Sequence, residues 1–230
     1  MKEGFSEGEI MEYHNTLAAV FLSRKNRFVA TVLLNGKETT VHVKNTGRLA
    51  ELLFPGAKVI LQDCDAENRK TRYDLICVRK PELGWVNIDA QASNKVMLEW
   101  LLGNGFSAIR PEYRYGESRL DFYTEKDDER YLIEVKGCTL ELDGVGYFPD
   151  APSERAVRHL GELMRAREEG YRAVIAFVIA MPQVTKVRPY EKNDPAFASA
   201  FRKAEEAGVE VWYLPCCVTE NSLKIDGCRI

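Results

Sequence analysis

RLDFYTEKDDERYLIEVK, residues 119–136, is the stretch on which the fold turns. Its two strand-like runs, Arg119-Leu120-Asp121-Phe122 and Tyr131-Leu132-Ile133-Glu134-Val135-Lys136, place Asp121, Glu134 and Lys136 inside otherwise apolar segments. Desolvating charges costs free energy, and a ladder that does so usually holds a ligand; two carboxylates suit a divalent cation with a phosphate beside it. Residues two apart on a strand share a face, so Glu134 and Lys136 point together toward whatever Asp121 approaches from the neighbouring strand. Val135 faces the opposite way, into the core. The competing use of the same residues is cross-strand salt bridging of Asp121 and Glu134 with Arg119 and Lys136, which short hairpins commonly form.

Glu125-Lys126-Asp127-Asp128 supplies the turn of this hairpin, and Ile109 to Arg114 reads as a further strand before it. Asn94 is placed to cap a helix carrying Val96, Leu98, Trp100 and Leu101, which stops at Gly103-Asn104-Gly105. Downstream, Ser153 to Glu169 is helical, with Val157, Leu160, Leu163 and Met164 on one stripe and Pro152 ahead of it. Ala173 to Ile179 is nearly all apolar, as a central strand covered on both faces should be. Pro195 to Ala207 forms another helix, and Gly208 to Leu214 closes the sheet.

The amino-terminal part has a different rhythm. Leu17–Leu22, Phe28–Leu34, Thr39–Val43, Ala57–Gln62 and Tyr73–Val78 are short strand candidates, Asn35-Gly36 makes a hairpin turn, and a short helix is expected over Arg48 to Leu53 before Pro55-Gly56. Such a pattern predicts a small closed barrel of oligonucleotide-binding type. A break near Lys80 to Gly84 divides the chain into a barrel over residues 1–84 and an α/β domain over 85–230.

Composition is that of an ordinary folded protein, with 45% hydrophobic and 29% charged residues. A formal net charge of -3 excludes an overall basic coat while allowing a local one. Cysteines at 64, 77, 138, 216, 217 and 228 have neither the density of a disulfide scaffold nor paired zinc spacing, and read as reduced, small apolar groups. Acidic residues within Met1 to Glu9 occupy the place of a signal peptide's apolar core, and no run approaches ~20 apolar residues. The expectation is a soluble, cytoplasmic protein without membrane contact.

Four ordered blocks resemble the SfsA (sugar fermentation stimulation) family: Val41-His42-Val43-Lys44-Asn45-Thr46-Gly47-Arg48, Glu117 to Phe122, Glu134-Val135-Lys136, and Phe148-Pro149-Asp150-Ala151-Pro152-Ser153. The resemblance covers nearly the whole chain. It implies an oligonucleotide-binding barrel followed by a restriction-endonuclease-like mixed-sheet domain, hence a two-domain α/β protein associated with DNA binding and maltose metabolism. It maps the nuclease pattern onto Asp121, Glu134 and Lys136, and adds Glu99 on the preceding helix. Where the family usually has Glu-Val-Lys-Ser-Val, this chain has Glu134-Val135-Lys136-Gly137-Cys138, which removes a hydroxyl.

Phosphodiester hydrolysis needs an aligned water and compensation of developing negative charge. Mg²⁺ held by Asp121 and Glu134, with Mn²⁺ as a substitute, fits the first need, and the Lys136 ammonium fits the second. Glu99 has a plain alternative as an exposed helix residue, and Glu117 as a solvated turn residue. Arg24, Lys25, Arg27, Lys37, Lys44 and Arg48 form a basic cluster that can track a phosphate backbone or simply be solvated. Phe21, Phe28 and His42 are candidates for stacking a base and equally for the barrel interior. Asn45-Thr46-Gly47-Arg48 can grip a phosphate or cap a helix. Arg155 and His159, one helical turn apart, can approach the same phosphate or form a surface pair. Asp150, with Ser153, is expected to cap the following helix.

The leading expectation is a nucleic-acid-binding protein, with DNA expected as the partner ahead of RNA, and magnesium-dependent nuclease activity. The alternative is a non-catalytic DNA-binding regulator of sugar metabolism. An enzyme acting on a small phosphate metabolite is a third reading. The sequence permits a homodimer without requiring one.

Overall fold

The computed structural model describes residues 11–65 and 69–226. The acidic stretch at the start of the chain and Cys228 lie outside the described residues. A two-residue strand, β1 (Met11–Glu12), precedes the barrel but pairs antiparallel with the chain's last strand, Ser222–Ile225.

The barrel is built from β2 (Thr16–Asn26), β3 (Val29–Leu34), β4 (Lys37–Val43), β5 (Lys58–Asp63) and β6 (Tyr73–Lys80), with β7 (Gly84–Asn87) extending β6. On β3, Ala30, Val32 and Leu34 are buried and alternate with more open neighbours, the period-2 pattern that sends one face inward. Asn35 and Gly36 both have positive φ (51° and 78°), so the hairpin turn is the one their sequence predicts. Closure comes from parallel pairing of β4 with β6, His42 opposite Asp74 and Val43 opposite Leu75. This removes the free edges that a five-stranded open sheet would present.

The helix expected over Arg48 to Leu53 does not form. Leu49 has φ 51°, its N–H is taken by Asp150, and only a single turn follows, with Leu52 and Leu53 donating to the Leu49 carbonyl. One turn cannot repay helix nucleation, so burial of Leu49, Leu52 and Leu53 as a plug in the barrel core decides the conformation.

The second domain runs α1 (Ala92–Gly103), β8 (Ser107–Tyr115), β9 (Ser118–Lys126), β10 (Glu129–Cys138), β11 (Leu140–Leu142), β12 (Val145–Phe148), α2 (Glu154–Glu168), β13 (Arg172–Ile179), β14 (Val187–Pro189), α3 (Pro195–Glu206), β15 (Glu210–Val218) and β16 (Ser222–Ile225). Its seven-stranded sheet has the order β1-β16-β15-β13-β10-β9-β8. The three central strands, β10, β13 and β15, are parallel, and antiparallel strands flank them. As expected from its apolar run, β13 lies at the centre. Its residues alternate between two layers: Val174, Ala176 and Val178 pack with α1, while Ile175, Phe177 and Ile179 pack with α2 and α3. The α2–α3 layer is continuous with the barrel core. The sequence reading missed β11, β12 and β14, which form a small separate sheet. These strands are three or four residues long and carry little periodicity.

The architecture is therefore the expected closed barrel followed by a helix-covered mixed sheet. Among the described residues no helix is long and apolar enough to cross a membrane. Phe177 is 1% exposed and meets the rings of Phe148, Phe201 and Tyr213. Phe177→Ala should lower unfolding free energy by about 3–5 kcal/mol, read from denaturant midpoints at constant slope.

Candidate active-site cleft

The hairpin β9–β10 delivers the charged residues to one place. Regular pairing of the two strands stops at Ile133 opposite Phe122. Just beyond, Leu120 joins the layer under α2 and Phe122 the layer under α1, and the carboxylate of Asp121 between them faces β10. There Asp121 Oδ2 accepts from Val135 N at 2.8 Å, and Oδ1 accepts from Asn94 Nδ2 at 2.8 Å. Burial raises the Asp121 pKa, and the neighbouring Glu134 charge raises it further.

Glu134 is 2% exposed. Its Oε1 pairs with Lys136 Nζ at 2.5 Å and with His159 Nδ1 from α2. Burial pushes this carboxyl up, but the His159 hydrogen bond and the Lys136 charge outweigh it and hold the group below the ordinary range. Arg155 Nε approaches His159 Nε2 at 3.5 Å, a geometry in which Nε2 accepts and Nδ1 donates to Glu134. Glu134 Oε2 is buried without a hydrogen-bond partner. Arg119, the alternative partner for Asp121, instead pairs with Glu112 at 2.9 Å on the exposed side of the sheet.

These groups line a cleft of about 390 Å³ walled by both domains. The barrel contributes Arg27, Asn45, Thr46 and Gly47, while α1 contributes Ser93 and Asn94, and Tyr147, Asp150 and Arg155 close the far side. The loop 45–48 is held from behind by Arg24, whose guanidinium donates to the carbonyls of Asn45 and Gly47 at 2.9 Å and Arg48 at 2.7 Å. Asn45 Oδ1 accepts from Gly47 N, and Asn45 Nδ2 donates to Ile88 O. Across the cleft, Asp150 Oδ2 accepts from Leu49 N at 2.8 Å.

Several expected roles change. His159 is buried against Glu134, so it faces the acid and not a surface phosphate. Arg24 is committed to loop carbonyls. Lys44 is paired with Asp89 at 2.7 Å and Asp74 at 3.3 Å; burial alone would lower its pKa, and these carboxylates raise it. Glu99 does not line the cleft, and accepts from Met11 N at 3.2 Å. Lys25 and Arg48 are exposed on the barrel outside the cleft. Asn94 lies inside the first turn of α1, whose N-cap position is Gln91, and serves Asp121. Ser153 caps α2 by accepting from Ala156 N, and Asp150 braces the barrel loop. The sequence reading passed over Ser93. A Cβ at Gly137 would meet Ser93 Oγ at 2.6 Å, so a hydroxyl from α1 occupies the room beside the position where the hairpin lacks one.

The model of the SfsA N-terminal OB domain matches residues 22–88, and that of the sugar fermentation stimulation protein RE domain matches residues 89–222. The chain belongs to the SfsA family. Sugar fermentation stimulation protein homologs from Desulfitobacterium hafniense strain Y51 and Clostridium beijerinckii are 47% and 44% identical, over 93% and 94% of this chain and 95% and 96% of theirs. The solved structure of Pyrococcus furiosus SfsA in complex with Ca²⁺ is similar with a TM-score of 0.84 at 32% identity, covering 96% of this chain and 97% of that one. The two SfsA-family domains meet at the cleft just described.

Gly47 leaves no room for a side chain against the second domain: a Cβ there would sit 2.7 Å from Asp150 Oδ2 and 3.0 Å from Asn45 Oδ1. Gly47→Ala should lower the thermal midpoint at a cost of about 1–3 kcal/mol from overpacking. In an Asp150→Ala background the cost should shrink, as a double-mutant cycle of thermal midpoints would show.

Proposed function

We propose that this chain binds nucleic acid and hydrolyses its phosphodiester backbone with a divalent cation, Mg²⁺ first, held by Asp121 and Glu134. The observation that carries the reading is Glu134 Oε2, a buried carboxylate oxygen without a partner, beside a second, half-buried acid whose pKa is raised. A cation held by both carboxylates would relieve both penalties. Among the described residues no group of three or more His, Cys, Asp or Glu side chains gathers to hold a metal. Two carboxylates are nevertheless the donor set that suits Mg²⁺, which keeps several waters and takes remaining ligands from substrate phosphate. The Ca²⁺ bound by the Pyrococcus furiosus relative supports the same reading.

When bound, the cation supplies Lewis acidity and a more acidic water. The chain's own residues supply the rest. Asn94 and the Val135 N–H fix the Asp121 carboxylate, while His159 and Lys136 fix Glu134 with Oε2 left available. The Lys136 ammonium, partly open to the cleft, meets a non-bridging phosphate oxygen and favours charge developing there. Arg27, Asn45, Thr46 and Arg155 line the path of the backbone leading in.

A non-catalytic DNA-binding role is favoured by one observation, that Glu134 already has Lys136 and His159 as partners at Oε1 and so is neutralised without a metal. Titration with Ca²⁺ separates the two readings without requiring turnover. Under the hydrolase reading Ca²⁺ raises the thermal midpoint of the wild-type chain with concentration, as a ligand of the folded state must, and does not do so in Asp121→Asn or Glu134→Gln. An unshifted midpoint at millimolar Ca²⁺ removes the cation site. With Mg²⁺ and a labelled DNA panel, Lys136→Met should reduce cleavage by roughly 10²-fold while leaving DNA affinity in EDTA near wild type. Product release that persists in both carboxylate variants would reject the assignment.

A further inference from the structure

Phe28 lies at the β2–β3 turn, 51% exposed, the most open of the large apolar side chains among the described residues. Its backbone is held firmly. Phe28 N donates to Asn26 Oδ1 at 2.8 Å, and Phe28 O accepts from Val43 N at 2.9 Å. Arg24 ties the same turn to the cleft loop, donating to the carbonyls of both Arg27 and Asn45. A rigid main chain thus carries an aromatic ring that reaches no core. Lys25, Arg27 and Arg48 are exposed nearby, and no acid occurs between Arg24 and Lys37 in the sequence. Arg27 also lines the cleft that holds Asp121 and Glu134, so the turn is continuous with it.

We infer that Phe28 is a stacking platform for an unpaired base, and that the nucleic acid led past Arg27 into the cleft is single-stranded. This substrate class rests on the function proposed above. A base exposes its face to a side chain only when it is unstacked; in a duplex, neighbouring pairs cover both faces, and a ring on a convex turn finds only the backbone. Surrounding cations suit the phosphates on either side of the stacked base. They also oppose self-association through this patch, since a second copy would bring like charges together.

The test measures oligonucleotide affinity in EDTA, where cleavage plays no part, using fluorescence anisotropy with an unstructured single strand and its duplex. The wild-type chain should bind the single strand more tightly. Phe28→Ala should weaken single-strand binding by roughly 5- to 100-fold, with the dependence of log affinity on log salt unchanged because no charge is lost. Phe28→Trp should retain affinity and show emission quenched on binding, whereas Arg27→Ala should reduce the salt slope by about 0.7. Unchanged affinity in Phe28→Ala, preference for duplex, absence of any oligonucleotide binding, or a Phe28-dependent dimer in sedimentation with DNA affinity unaffected would each overturn the inference. If Mg²⁺ yields no products while the Phe28 effect holds, hydrolysis fails and the platform stands; cleavage with wild-type behaviour of Phe28→Ala gives the reverse.

Discussion

A carboxylate held almost out of water is the constraint around which the second domain is arranged. Burial works against the Glu134 charge, Lys136 and His159 offset it by meeting one of its oxygens, and each partner is itself fixed by a different element. Lys136 comes with Glu134 on β10 by strand alternation, while His159 requires α2 to lie on that face of the sheet. The apolar stripe of α2, with Leu160 and Leu163 buried, brings it there. Removing any one partner would leave a buried charge partly uncompensated, which costs far more than a surface ion pair contributes.

The same economy joins the two domains. Asp150, from the second domain, accepts the Leu49 N–H of the barrel, while Arg24 satisfies the carbonyls of the 45–48 loop from the barrel side. Lys44 extends the tie in the other direction, bridging Asp74 inside the barrel and Asp89 just before α1. Asp89 accepts from Gln91 N and so orients the start of α1, from which Ser93 and Asn94 reach the cleft. Charges that a sequence suggests are available for phosphate are in these cases consumed in assembling the site.

Much was legible along the chain. The strands of the barrel stand out as short runs rich in apolar and β-branched residues, the hairpin turn by Asn35-Gly36, and the central strand by its unbroken apolar run. Asp121, Glu134 and Lys136 could be singled out because charges in apolar strands are costly and therefore informative. What escaped had no local signature. Asn94 looks like a cap by position, and only the approach of β9 to the first turn of α1 reveals its contact with Asp121. Leu49 to Leu53 has a helical look, yet a positive φ and a bond from a residue a hundred positions away override it.

Periodicity and desolvation act through residues close along the chain, so the barrel strands, the central strand, the main helices and the three charges among apolar neighbours were readable from it, whereas β11, β12 and β14 and the failure of a helix over Arg48 to Leu53 were not. Packing across the fold is what turns His159 inward, engages Arg24 and Lys44 with internal partners, and leaves Phe28 in solvent. Those outcomes depend on which groups from distant segments arrive within hydrogen-bonding reach, and pairing across space is set by the packing of whole elements.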